Sequence, residues 1–125
     1  MPTHVYLSPG MFGFAQVASY QYFEHIARAI ERRFAQRGRN CRVLVCDVHP
    51  TASIRRRAIK LARMIHETAG QDDQPIHIIG HSTGGLDARL VASPSVALPG
   101  VTPDELSFIS RVRSITTMNT PHYGT

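Results

Sequence analysis

The 125-residue sequence predicts an α/β fold: a four-stranded parallel sheet with helices on both faces, in three αβα layers. Three observations carry this reading. Strand-like and helix-like segments alternate along the whole chain, as they do when helices connect parallel strands. Residues 41–48 and 76–80 are near-continuous apolar runs, the pattern of strands covered on both faces. The segments between them repeat apolar residues at helical spacing and carry their charges elsewhere.

Taken in order, His4 to Ser8 reads as a short strand, broken by Pro9-Gly10, and Gly13 keeps the following loop free to bend. A helix runs roughly from Ala18 to Arg37, with Phe23, Ile26, Ala27, Ile30 and Phe34 in one apolar stripe. Gly38 terminates it. Cys41 to Val48 is a strand interrupted by Arg42 and closed by Asp47-Val48-His49-Pro50. The next helix spans Ser53 to Ala69, with the stripe Ile54, Ala58, Leu61, Ala62, Ile65 and Ala69. Ser53 serves as its N-cap and Gly70 as its stop. After the loop Gln71–Pro75, Ile76 to Gly80 is the clearest strand. A sharp turn over His81–Gly85 opens a helix through about Val91. Residues 94–101 look irregular. Thr102-Pro103-Asp104-Glu105 resembles a capping box, which places a short helix over Pro103–Ile109. Val112 to Met118 is the last strand.

Composition bounds the function. Apolar residues make up 42% and charged residues 18%, as in an ordinary globular chain. Residues 1–125 read as one partial domain. No run is long and apolar enough to span a membrane. Met1-Pro2-Thr3-His4 has no basic leader or cleavage site, which sets the expectation of a cytoplasmic protein. The net charge is +5, from arginines at 28, 32, 33, 37, 55, 56, 57 and 63. These read as solvated outer helix faces; without a nucleic-acid motif or interleaved aromatics, no nucleic-acid partner is expected. Cys41 and Cys46 are five apart on one strand and therefore face opposite ways. No spacing suits a metal, so neither metal nor cofactor is expected.

The chemistry-bearing motif is Gly80-His81-Ser82-Thr83-Gly84, a G-x-S-x-G sequence directly between an apolar strand and a helix. In that setting the serine sits at the tip of a strained strand-to-helix turn, and the glycines leave room where strand and helix crowd. The hydroxyl then stands above the C-terminal edge of the sheet. The Thr83 N–H, at the helix start, can donate to an oxyanion, aided by the helix dipole. The other reading is a glycine-rich turn without catalysis, such as a phosphate site, but Gly85-Leu86-Asp87 offers no phosphate-loop lysine. A second oxyanion donor belongs to the loop after the first strand, and the candidate is the Met11 N–H.

These residues resemble the bacterial triacylglycerol lipases and their relatives in the α/β-hydrolase superfamily. Gly10-Met11-Phe12-Gly13-Phe14 is similar to the family's oxyanion loop, usually His-Gly-x-x-Gly-Phe. Tyr22-Phe23, Ile26 and Gly38 resemble its first helix, and Ser53, Arg57-Ala58 and Leu61 the start of its second. Gly80 through Arg89 is similar to its elbow and following helix. Thr116 through Thr125 resembles the stretch written T-x-x-T-P-H-x-G-S. The resemblance implies a partial α/β-hydrolase fold and ester hydrolysis through an acyl-enzyme. Ser82 would be the nucleophile, Met11 and Thr83 the oxyanion donors, Gly80 and Gly84 the elbow glycines, and a lipid or other carboxylic ester the substrate.

Two departures follow. Pro9 stands where the family has histidine. The family's acid and histidine lie on later loops, in the order Ser, Asp/Glu, His, and this chain ends before them. Within the chain, His122 reads as structural, Asp87 as an arginine partner, Asp47 as a strand-end residue, and Asn119 cannot carry an acid's charge. The chain alone is therefore expected to be weakly active, and to self-associate through an exposed sheet edge. The alternative is a non-catalytic remnant acting as a binding or interaction protein.

Overall fold

The computed structural model describes residues 2–10, 16–46, 53–70, 72–93 and 98–124, apart from the side chains of 16–20. Its elements are β1 (Thr3–Ser8), α1 (Gln16–Gln36), β2 (Cys41–Val45), α2 (Ile54–Ala69), β3 (Ile76–His81), α3 (Gly84–Val91), a 3₁₀ helix (Asp104–Arg111) and β4 (Val112–Met118). The strands form one parallel sheet in the order β2-β1-β3-β4.

That order fixes the layers. The chain steps from β1 to β2 in one direction, then from β2 past β1 to β3, and on to β4, in the other. Right-handed crossovers therefore place α1 on one face and α2 and α3 on the opposite face. The two cores follow this division. Val5, Leu7 and Val43 pack with Phe23 and Ala27 of α1. Tyr6, Ile76 and Ile78 pack with Ala58, Leu61, Ala62 and Ile65 of α2, Ala88 and Val91 of α3, and Phe108. The arrangement is the expected αβα sandwich, consistent with a partial α/β-hydrolase fold.

The cysteines divide as their spacing requires. Cys46 is buried in the α2 core, and Cys41 lies against the α1 core. Burial, with Glu31 nearby, pushes the Cys41 thiol up to about 11, which leaves it un-ionised at neutral pH.

The helix and strand signals are realised with two corrections. In α2, Ser53 accepts from the Arg56 N–H and Gly70 ends the helix at φ 69. Ile54, however, is exposed, because the first residue of α2 lies beyond the core that Ala58 to Ala69 fill. The capping box forms reciprocally: Glu105 N–H donates to Thr102 Oγ1, and Thr102 N–H donates to Glu105 Oε1. It initiates a 3₁₀ rather than an α helix. The apolar run at Cys41 ends as strand at Val45, and β2 lies on the sheet edge. Its apolar character comes from the two cores that cover its faces, as the run implied.

The N-terminal edge of the sheet is tied by polar contacts. Asp72 accepts from Arg111 and contacts His4 Nε2 at 3.2 Å. Arg111 also donates to the carbonyls of Gln74 and Gly70. The Gln74 amide, His4 and Arg111 outweigh the burial of Asp72 and hold its carboxyl below the ordinary value. No helix among the described residues is long and apolar enough to cross a membrane.

Candidate active site

The site is built where the strand order reverses. β1 and β3 are neighbours, but their connections leave in opposite directions, so a crevice opens beyond their C-terminal ends. Ligands of open parallel α/β sheets bind in such crevices. Register places Ser8 level with Gly80, and Gly80 level with Thr117. The residues that follow, Pro9-Gly10 after β1 and Ser82-Thr83 after β3, therefore emerge side by side.

Ser82 takes the sharp turn that the motif predicts. Its φ is 54°, one of two positive values at non-glycine residues among those described; the other is Asn119. Its N–H continues the sheet ladder to the Met118 carbonyl at 2.9 Å, and its own carbonyl accepts from Gly85 N–H at 3.1 Å. Ser82 thus belongs to the last rung of β3 and the first turn of α3 together. Thr83 already has helical dihedrals.

Four glycines let these backbones meet. A methyl on Gly80 would stand 2.5 Å from Gly85 Cα, one on Gly84 1.9 Å from the Ser8 carbonyl oxygen, and one on Gly85 2.1 Å from Thr120 Oγ1. A methyl on Gly10 would lie 2.7 Å from the Thr83 nitrogen and 2.8 Å from Ser82 Cβ. The loop after β1 therefore lies directly against the Thr83 amide. Met11, the expected second donor, lies outside the described residues.

Beneath this crevice is a buried polar network that the sequence reading missed. Arg57 is 1% exposed and Asp87 0%. Arg57 Nε donates to Asp87 Oδ2 at 3.0 Å, Nη1 to Thr83 Oγ1 at 3.1 Å, and Nη2 to the Pro9 carbonyl at 2.9 Å. Burial pushes the Asp87 carboxyl up to about 6, although Arg57 pulls the other way. Asp87 pairs with an arginine as expected. Arg57, by contrast, is not one of the solvated arginines. A signal for this was present: Arg57 stands in helical phase with Leu61, Ile65 and Ala69, on the buried stripe of α2.

The histidines sort by position. His122 lies near the C-terminal edge, but Arg89 Nη1 contacts its Nδ1 at 2.8 Å and Thr117 Oγ1 its Nε2 at 3.1 Å. Both ring nitrogens are therefore engaged, which fits its structural reading. His4, with its carboxylate partner Asp72, lies at the opposite edge of the sheet. His77 contacts Ser114 on β4 at 2.6 Å, and burial together with Arg113 lowers its pKa. The His81 ring packs edge-on to Phe23 of α1, with centroids 5.8 Å apart. Among the described residues, no histidine hydrogen-bonds to the Ser82 hydroxyl, and no group of His, Cys, Asp or Glu is placed to hold a metal.

The geometry is that of a strand–turn–helix elbow at the switch point of a parallel α/β sheet. At the level of sequence, the chain is similar to triacylglycerol lipases. It is 28% identical over 121 residues to one from Pseudomonas fragi, covering 96% of this chain and 35% of that protein. It is 32% identical over 112 residues to one from Vibrio cholerae serotype O1, covering 89% of this chain and 32% of that protein. The chain thus spans about a third of the length of the curated relatives it matches. No protein-family profile matches it, and no solved structure does.

Proposed function

We propose that this chain carries the nucleophile-bearing part of a serine ester hydrolase acting on lipid or other carboxylic esters. Ser82 Oγ gives up its proton and attacks the ester carbonyl; the ester C–O bond breaks, the alcohol leaves with a proton, and the acyl-enzyme that remains is hydrolysed by water to the carboxylic acid and free Ser82. The Thr83 N–H, together with that of Met11, stabilises the oxyanion. Gly80 and Gly84 allow the turn. The observation that carries this reading is the backbone of Ser82: a non-glycine residue at φ 54, set between crowded glycines, with Gly10 against the Thr83 nitrogen. Strained backbone of this kind clusters at functional sites. The similarity to triacylglycerol lipases supports the choice of ester hydrolysis over the other chemistries an elbow can serve.

The general base and its acid partner are left to groups outside the described residues. Positioning and oxyanion binding alone give only modest catalysis. The test is labelling of the gene product with a fluorophosphonate, followed by peptide mass spectrometry. We expect the adduct on Ser82 and its loss in Ser82→Ala. A folded protein that stays unlabelled would refute the hydrolase reading and favour a non-catalytic binding role.

A further inference from the structure

We infer that Arg57 is a positioning residue that sets the width of the oxyanion crevice, holding the Pro9–Gly10 backbone and the Thr83 side chain to one rigid guanidinium. The inference rests on the hydrolase reading of Ser82. Its basis is the layout of the three contacts. Nη2 reaches the carbonyl just past β1, Nη1 the residue after Ser82, and Nε, with Nη2 beside it at 2.9 Å, grips Asp87 Oδ2 on α3. The guanidinium is planar, so its nitrogens cannot move relative to one another. The Pro9 carbonyl and Thr83 Oγ1 are thereby held at a fixed spacing. Pro9 directly precedes Gly10, which lies against the Thr83 nitrogen. The two walls of the crevice come from segments remote in sequence, and Arg57 links both.

Stability alone is a poor reason for this arrangement. A buried ion pair is often matched or bettered by apolar residues of similar volume. Here the pair is also incompletely satisfied, since Asp87 Oδ1 is buried without a partner among the described residues. What an apolar replacement could not do is grip a carbonyl and a hydroxyl at once. Asp87 holds the guanidinium from behind and neutralises its charge, which keeps the fork aimed at Pro9 and Thr83.

The test compares wild type with Arg57→Met, which keeps volume without donors, and Arg57→Lys, which keeps charge without the fork. In the gene product, phosphonate labelling of Ser82 is resolved into reagent affinity and bond-forming rate, and amide exchange is followed at Gly10 and Thr83. We expect the bond-forming rate to fall roughly 10- to 100-fold in both variants, with affinity within about threefold. Exchange should quicken at Gly10 and Thr83 while α1 and β2 stay protected. Thr83→Val, which removes only the hydroxyl acceptor, should slow labelling in the same sense and serves if the Arg57 variants fail to fold. Wild-type rates in folded variants, restoration by lysine, or exchange that rises evenly along the chain would each overturn the inference. If wild type stays unlabelled while Arg57→Met quickens exchange only at Gly10 and Thr83, the hydrolase reading falls and the brace stands. If wild type labels and the variants label equally fast, the brace alone falls.

Discussion

For an L-residue, the left-handed conformation of Ser82 costs about 1–2 kcal/mol. The surroundings impose it nonetheless, because the Ser82 N–H is committed to Met118 and its carbonyl to Gly85. The glycines around it act through contact rather than through dihedral freedom, and substitution separates the two roles. At Gly84 a methyl would meet the Ser8 carbonyl oxygen at 1.9 Å, and the next nearest atoms are Ser8 and Pro9 backbone too, with no flexible side chain to yield. At Gly38, φ is 72 but nothing lies within 4 Å of an added methyl. We expect Gly84→Ala to destabilise the fold by about 3 kcal/mol or more, and Gly38→Ala by only about 1 kcal/mol. Urea unfolding midpoints would check both; equal losses would mean that a small backbone shift relieves the crowding at the elbow.

At the scale of elements, local signals were faithful wherever the partners are local. The α2 boundaries were legible because Ser53 caps and Gly70 terminates within one turn of the residues they serve. The Thr102/Glu105 box was legible for the same reason, and Thr102→Ala should lower stability by about 1 kcal/mol, read as a fall in melting temperature. No change on heating would mean that the 3₁₀ helix is held by Phe108 packing alone. The box specifies where a helix begins and left open whether its later turns are α or 3₁₀. The buried arginine was missed. Arginine is an exposed residue by default, and the groups that make the burial of Arg57 tolerable come from β1 and α3, far away in sequence. The position of β2 was equally hidden, since covered faces make a strand apolar whether or not its edge is open. The sharp strand-to-helix turn at Ser82 was legible because five consecutive residues specify it; a loop after β1 was expected beside it, but the distance of Gly10 from Thr83 belongs to the tertiary fold.

For the molecule as a whole, the Arg57–Asp87 pair links the folding equilibrium to pH. The folded-state value of Asp87 is raised from the ordinary 3.8 to about 6, so between these values the folded chain holds more protons than the unfolded one. The contribution of this group is therefore fully present below about pH 4 and is lost as pH rises through about 6, by an amount on the order of 3 kcal/mol. Asp87→Asn should abolish that component, so the stability of wild type relative to the variant should decline from pH 4 to pH 6. Chemical unfolding of both proteins across this range would test it, and a difference that does not move with pH would show that Arg57 cancels the desolvation of the carboxyl.

The order β2-β1-β3-β4 has a consequence for when the crevice forms during synthesis. β1 leaves the ribosome before the other three strands, yet β3, its partner across the crevice, follows only after two helices and the edge strand β2 have been made. A nascent chain therefore holds the loop after β1 without the serine it must face, and closing that long-range pairing is among the slow events of folding. The crevice between β1 and β3 therefore exists only once that pairing has closed, with Gly10 and Thr83 brought together in the same step.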